Sequence, residues 1–302
     1  MNTNFKKKII ITGSNGYLGS KLTEYFSKLN YEILCIYNKK KNTISKKNVT
    51  HLKLNLLKKI PINKINKKFD AILHFAGPKN HRSYVNKNKK KILDGIKIDK
   101  NIINFCIKKK IKFFIYASSS AVYDLNEGIV KKKSSFKEEN VKINSSFDGT
   151  YGYTKKITEN YLTKLQSDSF NATICRIFSI YGNDTNTIIN SWKKDIHDNK
   201  KIQIWGKNIT RSWLHIDDFL RAINCILDDN KRFKIVNIGS KEITSLEKIV
   251  TIIKKKLKKK KSKVQIIHTK YPGPRVRYAN QSKLKKLGWT QKISLHKGIS
   301  LI

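Results

Sequence analysis

Arginine is scarce in a chain otherwise crowded with positive charge: of 65 basic residues among 302, only 7 are arginine and 58 are lysine. Only 21 acidic residues oppose them, leaving a net charge of +44. A balance of that sign suits nucleic acid or an anionic membrane. Readers of bases and phosphates, however, lean on the bidentate guanidinium, so its shortage argues against a nucleic-acid partner. Lysine, isoleucine and asparagine together fill 131 positions. All three have A/T-rich codons, so a base-poor gene explains the excess without any ligand. Cysteine is sparse as well. Cys35, Cys106, Cys175 and Cys225 stand apart in apolar stretches, with no paired spacing for a metal or redox motif. They read as small core residues in a reducing compartment, and no metal is expected. No apolar run approaches the roughly 18 residues of a membrane span. Lys6–Lys8 leads into only three isoleucines, too short an apolar region for a signal peptide. The expectation is a cytoplasmic protein without a membrane partner.

What is present is enough apolar and aromatic residue (39% and 10%) for a real core, which excludes wholesale disorder. The first half alternates short apolar runs with amphipathic stretches, the mark of βαβ units. Strands are expected at Lys8–Thr12, Glu32–Tyr37, Val49–Leu52, Ala71–Phe75, Phe113–Ala117, Ala172–Phe178 and Ile235–Ile238. Helices are expected at Leu18–Leu29, Ile92–Ile107 and Tyr151–Leu165. This predicts an α/β, Rossmann-type, doubly wound parallel sheet over residues 1–182 with strand 233–240. Residues 183–232 and 241–302 fall outside that rhythm and are assigned to a smaller C-terminal α/β substrate-binding lobe. The lysine run 254–263 follows Ile249, Ile252 and Ile253 at helical spacing and reads as the solvated end of an amphipathic helix.

With only 14 glycines in the chain, three at fixed spacing are informative. Strand Lys8–Thr12 runs straight into Gly13-Ser14-Asn15-Gly16-Tyr17-Leu18-Gly19 and then a helix. Glycines there permit a tight turn and let backbone amides approach a pyrophosphate at the helix N-terminus. The spacing Gly-x-x-Gly-x-x-Gly resembles the loop of the extended short-chain dehydrogenase/reductase superfamily. Its NAD-dependent epimerase/dehydratase (nucleotide-sugar epimerase) branch is also matched, in order, by Leu73–Ala76, Tyr151–Glu159, Arg176–Gly182, Trp205-Gly206, Arg211–Asp218, Asn237–Ser240 and Leu287–Trp289.

The resemblance implies a dinucleotide cofactor, NAD or NADP, held by Gly13, Asn15, Gly16, Tyr17, Leu18 and Gly19, by Asn38, Asn55 and Leu56, by Phe75, Ala76 and Gly77, and by Tyr151 and Lys155. Asn55 stands where the family usually has an adenine-contacting aspartate. An acid ending the second strand would hold the ribose 2′-hydroxyl of NAD, whereas a base suits the 2′-phosphate of NADP. The chain has Asn38-Lys39-Lys40 there, which leans toward NADP.

The family's Tyr-x-x-x-Lys signature is weak by itself, since chance alone predicts about 2.5 occurrences in this composition. Three exist: Tyr17/Lys21, Tyr37/Lys41 and Tyr151/Lys155. Only Tyr151 opens a helix in a family-like context, Tyr-Gly-Tyr-Thr-Lys-Lys-Ile-Thr-Glu. Positions i and i+4 share a helix face, and a phenol beside an ammonium gives up a proton more readily. Tyr151 and Lys155 are therefore the expected catalytic pair. Counting back from Val122-Tyr123, the family's third member falls on Ser119, with Ser118 and Ser120 as alternatives. Ser119 and Ser120 would also touch substrate. Arg211 matches a substrate-phosphate ligand, with an ion pair to Asp217 or Asp218 as its other reading. Arg275, with Arg277 beside it, lies near a second diphosphate-binding arginine, although the family's Arg-Pro-Gly is here Tyr271-Pro272-Gly273.

Sugar 4,6-dehydratases of this family place acids after the catalytic Ser/Thr; Ser120 and Ala121 stand there instead, and neither can serve as acid or base. The resemblance thus implies a nucleotide-sugar 4-epimerase, UDP-glucose 4-epimerase-like, with a 4-keto-sugar reductase as the alternative and a non-catalytic nucleic-acid-binding relative as a distant third. Family members often dimerise through the two helices that correspond to Ile92–Ile107 and Tyr151–Leu165, so the resemblance leaves a homodimer and a monomer both open.

Overall fold

The computed structural model describes residues 5–40, 42–78, 89–123, 137–138, 151–183, 187–229, 234–259, 261–268 and 276–302. Arg275, Lys41 and the Tyr271–Gly273 segment, all named above, lie outside the described residues. Along the chain run β1 (Lys8–Thr12), α1 (Tyr17–Lys28), β2 (Glu32–Tyr37), β3 (Val49–Lys53), β4 (Ala71–His74), α2 (Lys89–Lys108), β5 (Phe113–Ser119), α3 (Tyr151–Leu165) and β6 (Asn171–Ile177). Then follow β7 (Ser179–Tyr181), α4 (Ile188–His197), β8 (Ile202–Trp205), β9 (Thr210–His215), α5 (Ile216–Asp228), β10 (Ile235–Ile238), β11 (Ile243–Ser245), α6 (Leu246–Lys256), β12 (Val264–Ile267), β13 (Val276–Arg277), α7 (Ser282–Lys286) and α8 (Leu295–Leu301). No helix of the described residues is long and apolar enough to cross a membrane.

Seven strands form the central sheet in the order β3-β2-β1-β4-β5-β6-β10. β1 pairs in parallel with β2 and with β4, β2 with β3, and β4 with β5. The fold is therefore the Rossmann-like α/β sheet that the sequence predicts. Chain direction across the sheet reverses between β1 and β4, the place where doubly wound sheets open a crevice at their strand ends. Ile10, Ile72, Phe114 and Ile174 supply one sheet face, packed against Ile102 and Ile103 of α2 and Leu162 of α3. Each such side chain contributes about 1.5–3 kcal/mol on burial.

Most elements differ from expectation only at their ends. β4 stops one residue short because the Phe75 amide turns to Thr12, donating to its carbonyl and hydroxyl oxygens (3.3 and 3.2 Å). β5 runs two residues further, through Ser119, and α2 is longer at both ends.

The chain divides into two compact units: Met1–Val122, Lys142–Arg176 and Asp229–Val236 form one, and Tyr123–Val141, Ile177–Asp228 and Asn237–Ile302 the other. In the second unit Tyr123 donates to Asn237 Oδ1 (2.6 Å), and the Asn237 amide donates to Glu138 Oε1 (2.9 Å). Its core gathers Tyr181, Trp192, Trp213, Ile249 and Ile253. The carboxylate of Asp218 accepts from the Lys292 and Ile293 amides (both 2.9 Å) and pairs with Arg221. Asp218 thereby ties the C-terminal segment to α5.

Candidate functional site

The glycine loop lies at the β1/β4 reversal. Gly13 has φ +68°, and a Cβ on it would stand 2.7 Å from Ala76 N and Phe75 C and O. Only glycine tolerates both constraints. Its carbonyl accepts from the Gly16 amide (2.9 Å), and a Cβ on Gly19 would collide with that same carbonyl. Gly16 caps α1 without a side-chain hydrogen bond, and the first turn carries no acid. The amides and dipole there favour an anion. Asn15 and Gly16 are exposed, and Tyr17 and Leu18 are half-buried.

Asn38, Lys39 and Lys40 are exposed at the end of β2. Asn55 Oδ1 accepts from the Leu57 amide (3.0 Å), which shapes the turn after β3. The Leu56 side chain belongs to the core, and its carbonyl accepts from Asn101 Nδ2 (2.8 Å). Phe75 and Ala76 are half-buried and Gly77 exposed.

Helix α3 carries Tyr151 and Lys155. Gly152 explains how its first turn is placed: a Cβ there would collide with the Ala121 carbonyl. The helix start therefore lies directly against the short turn Ser120–Val122 that follows Ser119. Period-2 alternation along β5 sorts the three serines. Ser118 turns away from the turn and donates to Glu159 Oε1 at 2.5 Å. Glu159 also receives the Arg176 fork, with Nη2 to Oε2 at 2.7 Å. Ser119 is half-buried, its hydroxyl accepting from the Ala121 amide (3.2 Å), and Ser120 is buried in the turn.

Gly77, Pro78, Gly95, Asp99, Tyr151, Thr154 and Lys155 line one small cavity. The Lys155 ammonium is 4.5 Å from the centroid of the Tyr116 ring and 5.9 Å from that of Tyr151. Beneath it lies a buried chain of hydrogen bonds that the sequence reading did not contain. Tyr116 and Thr158 donate to Asp99 Oδ2 (2.6 and 2.8 Å), and His74 Nε2 lies 2.9 Å from Oδ1. On its other side His74 Nδ1 is 2.6 Å from Thr12 Oγ1. That oxygen accepts from the Phe75 and Ala76 amides (3.2 Å each).

Burial lowers the His74 pKa against the pull of Asp99. A neutral ring satisfies every partner in one way only: Nε2–H donates to Asp99, and Nδ1 accepts the Thr12 hydroxyl proton. Burial alone would raise the Asp99 carboxyl, but the Lys155 charge and the His74 hydrogen bond hold it below its usual value. Burial and then the Asp99 charge push the Tyr116 phenol well above its ordinary value. Tyr116 is thus a fixed donor and no substitute for Tyr151. Of the two other Tyr/Lys pairs, Tyr17/Lys21 lies in the first turns of α1, and Tyr37 ends β2.

In the second unit Arg211 on β9 pairs in register with Arg277 on β13 and with Thr244 on β11. Two guanidinium-bearing residues therefore stand side by side on adjacent strands, an arrangement suited to a doubly charged anion.

The NAD dependent epimerase/dehydratase family model matches residues 9–239. An ADP-L-glycero-D-manno-heptose-6-epimerase of Brachyspira hyodysenteriae is 25% identical over 269 residues, covering 82% of this chain and 80% of that protein. A UDP-N-acetyl-alpha-D-glucosaminuronate decarboxylase of Bacillus cytotoxicus is 24% identical over 258 residues, covering 81% of this chain and 78% of the other. Among solved structures, a Thermus thermophilus UDP-glucose 4-epimerase in complex with NAD superposes with a TM-score of 0.84 at 18% identity, over 97% of each chain. At that identity the likeness is one of fold.

Proposed function

The chain belongs to the NAD dependent epimerase/dehydratase family, and on that premise we propose that it interconverts C4 epimers of a nucleotide hexose by transient oxidation at C4. The observation that carries the reading is the docking of Gly152 on the Ala121 carbonyl, which sets Tyr151 and Lys155 beside the Ser119 turn. The Gly13 cradle, which a Cβ would fill, and the uncapped start of α1 fit a dinucleotide pyrophosphate. A dinucleotide held there would supply the hydride-accepting and hydride-returning chemistry at C4.

The chain's own residues supply the rest. Tyr151 takes the proton of the C4 hydroxyl as it is oxidised and gives it back on reduction. Ser119 holds the same oxygen, and Lys155 offers positive charge where negative charge develops. Arg211, with Arg277 as its neighbour, binds the diphosphate. Ser120 and Ala121 carry no acid or base, so the site has no group there to abstract a proton from C5. Dehydration is not the expected outcome.

Asn38, Lys39 and Lys40, with no carboxylate among them, favour NADP over NAD, to be checked by comparing the two affinities. That feature also supports the second reading, a 4-keto-sugar reductase, which must exchange cofactor each cycle. Absorbance at the reduced-nicotinamide band during turnover separates the two. An epimerase equilibrates the 4-hydroxy epimers with no net change in the band. Stoichiometric loss of NADPH with a 4-keto sugar, and no epimer interconversion, replaces the epimerase with the reductase.

A further inference from the structure

We propose that Asp99 is a positioning residue for Lys155: its carboxylate is the buried counter-charge that sets where the ammonium lies and joins its surroundings to the cofactor cradle. Lys155 is 8% exposed and Asp99 2% exposed. A buried ammonium is costly without an opposite charge. Glu159, one turn along α3, is already matched by the Arg176 fork, whereas Asp99 of α2 acts on Lys155 by its charge. Asp99 lines the same cavity as Lys155 and Tyr151.

The groups facing Asp99 come from three elements. His74 on β4 and Tyr116 on β5 both donate to it, and α3 contributes the Thr158 hydroxyl, the Lys155 charge and, lining the same cavity, Tyr151. Of these, Lys155 alone brings a positive charge, because His74 is neutral and Tyr116 remains a phenol. Tyr116 has a double part, donating to the carboxylate with its hydroxyl while its ring face carries the ammonium. From Asp99 the chain of bonds continues through His74 to Thr12, which holds the Phe75 and Ala76 amides. Gly13 packs against that Ala76 nitrogen and the Phe75 carbonyl. One carboxylate therefore stands between Lys155 and the segment on which the dinucleotide would lie.

The role in turnover rests on the proposed reaction, whereas the charge pairing does not, and the test separates them. In Asp99→Asn the shape is kept and the charge is lost. With its counter-charge gone the ammonium is misplaced, so kcat should fall by up to about 100-fold while KM stays within a few-fold of wild type. Asp99→Glu restores the charge and should recover much of that loss, and Tyr116→Phe, which leaves the charge in place, should lose less than Asp99→Asn. A merely structural carboxylate would lower stability and leave the kcat of folded Asp99→Asn within a few-fold of wild type, and that result overturns the proposal.

A melting cycle reads the pairing without substrate. Asp99→Asn combined with Lys155→Met leaves no unpaired charge in this cluster, and the double variant should melt above either single one, refolding even if Asp99→Asn alone does not fold. Additive losses, or a double variant no better than the singles, overturn the pairing. If no nucleotide sugar turns over in the wild type, the reaction is wrong, and this cycle still decides whether Asp99 holds Lys155.

Discussion

Two buried polar clusters meet helix α3 one turn apart, and they are built differently. Around Glu159 the chemistry is closed: the Arg176 fork and the Ser118 hydroxyl occupy the carboxylate. All three side chains are buried, and none lines the cavity described at Tyr151. Around Lys155 the cluster opens on that cavity, and the ammonium rests on a ring face rather than in a fork. A bidentate pair fixes a helix, whereas a point charge over a ring leaves the ammonium able to act on whatever enters the cavity. The first cluster anchors the helix, and the second opens on the cavity to which the proposed chemistry is assigned.

The sharpest way to break that contrast is Tyr151→Phe. It should cut turnover by about 1,000-fold or more while cofactor affinity stays within a few-fold; wild-type rate in this variant would remove the chemical role from the open cluster. Arg176→Met attacks the closed one and leaves Glu159 buried and unpaired, at a cost of about 3–5 kcal/mol. Chemical denaturation should register that loss, and a stability within about 0.5 kcal/mol of wild type would show that the fork is not an anchor. The adjacent serines give a finer division. Ser118→Ala should lose about 1–3 kcal/mol of stability and retain kcat, whereas Ser119→Ala should lose kcat with stability intact. The reverse pattern would exchange their roles.

The smallest effect concerns pH. The His74 pKa is lowered on folding, so the unfolded chain binds the proton first. The contribution of His74 is therefore whole above about pH 6.5 and is lost as pH falls below it, at up to about 1.4 kcal/mol per pH unit. His74→Gln should flatten that slope between pH 6.5 and 5, and an unchanged slope would mean that His74 is already protonated in the folded protein.

Much of the sheet could be read from the sequence because its strands are short, apolar and bounded by turns. β1, β2, β10 and α3 have the limits expected of them. Tyr151 was separable from Tyr17 and Tyr37 by neighbours alone. Asp99 was not seen, because in a helix crowded with lysine a lone acid passes for the polar face. Its signal was nevertheless present: counting by 3.6, position 99 falls on the stripe of Ile92, Ile102, Ile103 and Cys106, all buried. A carboxylate on an apolar stripe is the informative exception. The choice among Ser118, Ser119 and Ser120 stayed open for a similar reason, since the alternation of β5 had to be anchored by Tyr116 facing α2 and α3. The second unit was the least legible, its strands being mostly two to four residues long and held by pairings that no local pattern announces.

Gly152 has no functional group, yet helix α3 is seated by what that residue lacks. In a mutational scan scored by activity, position 152 should be as intolerant as position 151, because any side chain drives α3 off the Ala121 carbonyl. A survey that looks only for reactive side chains would pass over it. The space one methyl group would occupy is as much a part of the site as the phenol next to it.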